Sequence, residues 1–405
     1  MNSLNKDFEK FFHRVEEIIT DIKAGKIIII VDDKSQENEG VLFQAAEKVT
    51  QKSMNFFMTH GKGFIFLPCE QERLKELGIP EDFAPLSLSI DARTRKGTGI
   101  SALDRVKTIK TFINRQSKPE DISMPGHIFP LRYHSGGVLV RAGHTEAAVD
   151  LAKIAGMTPA GIICEIIKDD GEIALLPDLV EISKKFNLKI ITIEELIRYR
   201  KRKEKLIEKV AEVNMPTKWG NFKAVTYRTT INPETVAAAE THIALVKGDV
   251  KGKKDVLVRV HSQCLTGDTF SSKRCDCGEQ LDSALKLINK NGSGVLLYMA
   301  QEGRGIGLCN KMKAYELQEK GLDTVEANLE LGFEADMRDY GIGAQILSDL
   351  GLTTVHLMTN NPRKIIGLEG YGLKITKVIP VKIKPNANNK NYLNTKKTKL
   401  KHMLD

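Results

Sequence analysis

Cys264, Cys275 and Cys277 form the densest concentration of soft ligands in the chain, two of them flanking Asp276 on one tight turn. Thiolates select zinc over magnesium or calcium. Spacing alone leaves two arrangements open. Three protein ligands leave a coordination position for water, the pattern of catalytic sites; His261, three residues before Cys264, would instead close a four-ligand structural site. Residues 301–307 (QEGRGIG) add a glycine-rich loop around Arg304. Backbone amides of such loops approach phosphate oxygens, and a guanidinium binds them bidentately. The spacing is not that of a dinucleotide or Walker motif, so the loop gains its weight from the thiols. Asp336 and Arg338 bring a proton acceptor and a phosphate-directed cation two residues apart. Taken alone, that segment reads as a charged surface turn.

These residues need a scaffold, and the flanking patterns supply one. An apolar strand at 256–260 leads to Cys264, and a helix over 280–289 follows Cys277 with Leu281, Leu285 and Ile288 on one face. A strand at 294–299 ends at the glycine loop, a helix occupies 311–320, and a strand at 354–358 ends in Thr359, Asn360, Asn361 and Pro362. In the amino-terminal half, short apolar runs at 27–31, 64–67, 138–140 and 161–164 alternate with helical stretches such as 145–155. The fold class is therefore α/β (α+β), with two domains, each a mixed sheet with flanking helices. Dense charge at 198–209 and the helix-breaking Pro216 suggest a first domain over 1–200, a charged linker over 201–214 and a second domain over 215–405.

A length of 405 residues suits two domains, and 41% hydrophobic with 28% charged residues is a soluble globular composition. No apolar stretch has signal-peptide or membrane-spanning length, so a cytoplasmic chain without a membrane partner is expected. Cys69, Cys164 and Cys309 read as buried small hydrophobes. Much of the formal charge of +9 lies in 198–209 and 396–401, runs that read as solvated faces or tails. Such charge attracts small polyphosphates. No nucleic-acid partner is expected; a non-catalytic, zinc-stabilised nucleic-acid-binding protein is the alternative of a different class, and it requires the closed zinc.

The segments 259–268 (RVHSQCLTGD) and 274–278 (RCDCG), with 301–307, Lys313 to Tyr315, 324–328, 338–340, 359–362, Lys364 and the tail around Tyr392 and Lys396, resemble GTP cyclohydrolase II over about 215–405. The resemblance implies zinc on Cys264, Cys275 and Cys277, activating water that attacks C8 of guanine and releases formate. Asp336 would accept a proton, Arg338 would act at the α-phosphate so that pyrophosphate leaves, and Tyr315 would join them. The implied substrate contacts are Arg259, His261, Ser262, Gln263, Gln280, Glu302, Gly303, Arg304, Thr324, Thr359 and Lys364. Magnesium is implied for pyrophosphate release, and the assembly is implied to be a homodimer. The family commonly has Glu where this chain has Gln263, a change that keeps size and hydrogen bonding.

In the other half, Asp32, Asp33, Glu37 and Glu39 follow a strand, while His127, residues 141–146 (RAGHTE) and Glu165 add imidazoles, a loop and a carboxylate. Oxygen and imidazole donors suit magnesium or manganese; singly, each reads as a satisfied polar residue or helix cap. Together they resemble 3,4-dihydroxy-2-butanone 4-phosphate synthase over about 8–200, which acts on ribulose 5-phosphate. The resemblance implies metal on Glu37 and His144, sugar phosphate on Arg141, Gly143 and Thr145, and acid and base roles for His127 and Glu165. Gln36 stands where the family has Arg, Val41 where it has Asp, Met124 where it has Arg and Phe66 where it has Cys, and 78–89 looks shortened. We expect these changes to reduce synthase activity and leave the domain as a folding or dimer-forming scaffold; a fully bifunctional enzyme is the alternative.

Overall fold

The computed structural model describes residues 8–32, 39–80, 86–93, 97–231, 241–333, 338, 340–369, 371–399 and 403. The chain divides into two compact units, Met1–Lys203 and Glu204–Asp405.

The first unit contains β1 (Ile28–Val31), β2 (Gly40–Ala45), β3 (Phe66–Cys69), β4 (Ile90–Ala92), β5 (Ile122–Arg132), β6 (Gly161–Glu165) and β7 (Lys189–Thr192). They form one mixed sheet in the order β4-β5-β3-β6-β2-β1-β7. Strand β1 explains its layering. Side chains alternate across a strand, and in β1 both sets are apolar: Ile29 and Val31 enter one core with Leu42, whereas Ile28 and Ile30 enter another with Val41 and Phe43. Each face therefore needs a helical cover. The helices Gln51–Phe56, Ala102–Ile113 and Leu176–Phe186 cover the first face, and Val15–Lys23, His144–Ile154 and Ile193–Lys203 cover the second.

The second unit contains β8 (Ile207–Thr217), β9 (Gly220–Thr229), β10 (Thr241–Lys247), β11 (Val256–Ser262), β12 (Gly294–Met299), β13 (Thr354–Met358) and β14 (Lys374–Ile379), in the order β14-β13-β11-β12-β10-β9-β8. Strands β12, β11, β13 and β14 run parallel, and β8 to β10 add an antiparallel flank. The helix Cys277–Asn291 lays Ala284, Leu285 and Ile288 on Leu257 and Leu296, while Leu281 is partly buried against the same cluster. Both units are thus mixed α/β folds with a helix-flanked sheet. Among the described residues, no helix is long and apolar enough to cross a membrane.

Three expectations require correction. Residues 201–214, expected as a charged linker, are ordered elements: 201–203 end a helix and Ile207 begins β8, an edge strand whose charged side chains are exposed while its backbone pairs with β9. Residues 138–140 are not a strand. Gly136 and Gly137 both have positive φ, of 90° and 62°, and turn the chain so that Val138 N donates to Asp150 Oδ2 at 2.9 Å. A Cβ on Gly137 would lie 2.3 Å from that carboxylate, so only glycine fits the turn. Finally, Cys309 is exposed, on the solvent side of the helix Gly307–Glu319, whereas Cys69 and Cys164 are buried.

Candidate functional site

The parallel strands β11, β12 and β13 end at one rim, and the segment following each enters a single cavity. From β11 come His261, Ser262, Gln263 and Cys264; from β12 come Glu302, Gly303 and Arg304; from β13 come Thr359 and Lys364. Ligand sites of open α/β sheets lie at such carboxyl ends. The turn before the helix Cys277–Asn291 contributes Cys275, the helices around the rim contribute Cys277 and Gln280, then Tyr315, then Thr324, and Arg338 completes the set. Asp336 lies outside the described residues.

The three thiols are brought together so that their sulfurs all lie within 4.8 Å of one another. Cys264 Sγ and Cys275 Sγ are 3.7 Å apart. Tetrahedral thiolates at the usual zinc–sulfur length would be about 3.8 Å apart, so the cluster fits zinc. Gly267 makes the approach possible, since a Cβ there would stand 2.8 Å from Cys275 Sγ. Hydrogen bonds from Cys275 and Cys277, reinforced by the Lys311 ammonium, hold the Cys264 thiol far below its ordinary range, while those same hydrogen bonds to Cys264 push Cys275 and Cys277 up. His261 is not a member of the cluster. Its Nε2 lies 3.1 Å from both oxygens of Asp268, and its ring stacks on Tyr298. The four-ligand arrangement with His261 is therefore not the one adopted, and among the described residues three protein ligands remain.

Asp268 ties this region together: it also accepts from Cys264 N at 3.0 Å and from the Tyr298 hydroxyl at 2.8 Å. Burial lowers the His261 pKa, so the ring is neutral. Its Nδ1 and the Ser262 Oγ are buried with no hydrogen-bond partner among the described residues. Such groups ordinarily find one, which marks a place for a polar ligand. Arg259 is buried, with its pKa lowered by burial to about 10, and stays charged at neutral pH; it donates to the Met358 carbonyl at 2.8 Å and to Gln280 Oε1. Lys364 Nζ donates to the Val260 carbonyl at 2.8 Å. The glycine loop is a short 3-10 turn in which Gly303 and Arg304 both take left-handed backbone, with φ of 63° and 64°. An arginine rarely adopts that conformation. Glu302 anchors the loop by accepting from Leu265 N at 2.6 Å and from Lys311 Nζ at 2.8 Å. Burial raises the Tyr315 phenol, keeping it protonated, and the Arg274 guanidinium lies 4.9 Å from its ring centroid.

Sequence reasoning missed Lys311, whose Nζ is 3.3 Å from Cys264 Sγ. On a helix, one lysine among several reads as solvated, and its partners lie many residues earlier in the chain. The Asp268 hub was missed for the same reason.

In the first unit, Arg141, Gly143, His144, Thr145 and Glu165 line one cavity with Arg132, His134 and Glu146. The loop delivers His144 to the start of its helix. Burial lowers the His144 pKa to about 4, and its Nε2 is buried without a hydrogen-bond partner among the described residues, as a neutral metal ligand would be. Glu37, the other expected ligand, lies outside the described residues. Burial raises the Glu165 carboxyl above its ordinary range. His127 is not among the residues lining this cavity: its Nδ1 sits 2.7 Å from Asp91 Oδ2, and Arg105 donates to its carbonyl. Val41, Phe66 and Leu86 give the cavity an apolar wall.

A family model of GTP cyclohydrolase II matches residues 208–380, and one of 3,4-dihydroxy-2-butanone 4-phosphate synthase matches residues 16–199. The riboflavin biosynthesis protein RibBA of Aquifex aeolicus (strain VF5) is 55% identical over 404 residues, covering 97% of this chain and 98% of the relative. Its counterpart from Endomicrobium trichonymphae is 52% identical over 403 residues, covering 98% of each. Among solved structures, RibBX, a two-domain 3,4-dihydroxy-2-butanone 4-phosphate synthase from A. baumannii, aligns with a TM-score of 0.66 and 36% identity over 91% of this chain and 99% of that one.

Proposed function

The chain belongs to the riboflavin-biosynthesis family that joins a 3,4-dihydroxy-2-butanone 4-phosphate synthase domain to a GTP cyclohydrolase II domain, and we propose that it runs both reactions, opening the purine ring of GTP in its second unit and converting ribulose 5-phosphate in its first.

For the GTP reaction, the observation that carries the reading is the presence of Arg259, Arg304, Arg338 and Lys364 in the same cavity as the three thiols. Four cations face a polyphosphate, and the thiols mark where the base must lie. Zinc on Cys264, Cys275 and Cys277 would supply Lewis acidity toward water and the ring. Ser262 and His261 offer unsatisfied polar atoms to the substrate. Tyr315, held protonated, presents a phenol donor to the cavity that the thiols line, and Asp336 is assigned the proton acceptor. Arg338 is assigned to the α-phosphate, and magnesium, when bound, would supply charge neutralisation for the departing pyrophosphate. The products are 2,5-diamino-6-ribosylamino-pyrimidinone 5'-phosphate, formate and pyrophosphate.

For the first unit, both relatives span this chain through its synthase half, and the comparisons give no support to the reduced activity expected from sequence. His144 with Glu37 would hold magnesium, Arg141 to Thr145 the sugar phosphate, and Glu165 acts as base. A second reading, a synthase-like unit of low turnover, rests on Val41, Phe66 and Leu86 standing in its cavity. Formate release with GTP and, in parallel, with ribulose 5-phosphate plus magnesium tests each half. Formate in both arms is expected. Silence with GTP ends the cyclohydrolase reading, and silence with ribulose 5-phosphate selects the low-turnover reading.

A further inference from the structure

The helix Lys390–Thr398 lies beyond residues 208–380, which the cyclohydrolase model matches, yet it contributes Tyr392 and Lys396 to the wall of the cavity. Lys396 is buried, and its Nζ donates to Asp276 Oδ1 at 2.7 Å. Asp276 stands between Cys275 and Cys277 and is itself buried. Its second oxygen accepts from Gln280 Nε2 at 2.5 Å, and Gln280 Oε1 in turn accepts from Arg259. The Lys396 ammonium also lies 4.3 Å from the centroid of the Tyr392 ring. Two more ties hold the tail: Lys399 Nζ donates to the exposed Glu326 Oε1 at 2.8 Å, and Met403 N donates to the carbonyl of Asn360, a residue that lines the cavity, at 2.9 Å.

A lysine is seldom buried without a partner, and a buried carboxylate deprived of its cation is strongly disfavoured. The position of Asp276 sharpens both points. Three thiolates around a divalent zinc carry a net negative charge, and the Asp276 carboxylate adds another beside two of them. We propose that Lys396 is a positioning residue of the metal site. It balances Asp276 and, through that carboxylate, holds the turn that carries Cys275 and Cys277 in line with Gln280 and Arg259. The tail helix is thereby a built part of the site. The kinetic consequence for GTP rests on the cyclohydrolase reading above, whereas the consequence for zinc does not.

The test uses the full-length chain and competition for zinc against a chromogenic chelator, alongside kcat and KM for GTP. Lys396→Met is expected to weaken zinc retention roughly 10- to 100-fold, the usual effect of removing an outer-shell partner, and to lower kcat more than it raises KM. Combining it with Asp276→Asn removes the orphaned carboxylate and should recover most of the zinc affinity. Zinc retention unchanged in Lys396→Met would overturn the proposal, as would a double variant no better than the single one. Zinc retention is read without GTP, so a failure of the GTP reading leaves this arm standing.

Discussion

Val41 stands directly opposite Glu165 across the β2–β6 pair. Facing side chains in such a pair have Cβ atoms about 4.5–5.5 Å apart, so the aspartate that the synthase pattern has at this position would confront Glu165 with a like charge. Burial already raises the Glu165 carboxyl. Val41→Asp should raise it further. A base must lose its proton to act, so the acid limb of the ribulose 5-phosphate pH profile should move to higher pH. A limb that stays in place would put the base elsewhere.

Gly267→Ala should damage the thiol cluster without touching a ligand. The new methyl would sit 2.8 Å from Cys275 Sγ and 3.2 Å from Cys264 Sγ. Zinc stoichiometry should drop, and GTP turnover should fall by about tenfold or more, with the ribulose 5-phosphate arm unchanged. Metal analysis and parallel assays check both.

Arg200 anchors the first unit. It donates to Asp150 Oδ2 at 2.7 Å, and the same carboxylate accepts from Tyr133 and Val138. Burial pushes Asp150 above its ordinary range even beside the guanidinium. Arg200→Met leaves that carboxylate without its cation and should cost about 3–5 kcal/mol. Hydrogen exchange of amides in β1 and β6 would report the loss, and unchanged protection would refute it.

His242 predicts an acid dependence in the second unit. Fully buried, it has its pKa lowered by burial from 6.5 to about 4. The folded state therefore refuses a proton that the unfolded chain accepts. Stability from this group is complete above about pH 6.5 and is lost as pH falls toward 4, by about 3 kcal/mol. Trp219, the single tryptophan, packs against the core of this unit and reports its unfolding. His242→Gln should flatten the dependence.

Legibility followed the range of each interaction. Strand 294–299 was readable as a continuous apolar run and strand 354–358 as an alternating one, each followed by polar or glycine-rich punctuation. Strand β8 was not, because most of its side chains are exposed and it is held mainly by backbone pairing with β9 and by surface ion pairs such as Arg228–Glu208. Near the thiols, residue type and spacing announced Cys264, Cys275 and Cys277. Their support was silent, since Lys311 meets Cys264 and Lys396 meets Asp276 only through the fold. The choice between an open and a closed cluster also waited on orientation, as nothing in the spacing tells His261 to turn toward Asp268.

The cations of the nucleotide cavity are already engaged with the chain that bears them: Arg259 with the Met358 carbonyl, Lys364 with the Val260 carbonyl and Lys311 with Glu302. Long basic side chains lose their freedom here when the protein folds, not when the ligand arrives. A substrate of matching outline therefore meets a frame that need not be ordered. One that is shifted by a bond length meets side chains already tied to the Met358 and Val260 carbonyls and to Glu302.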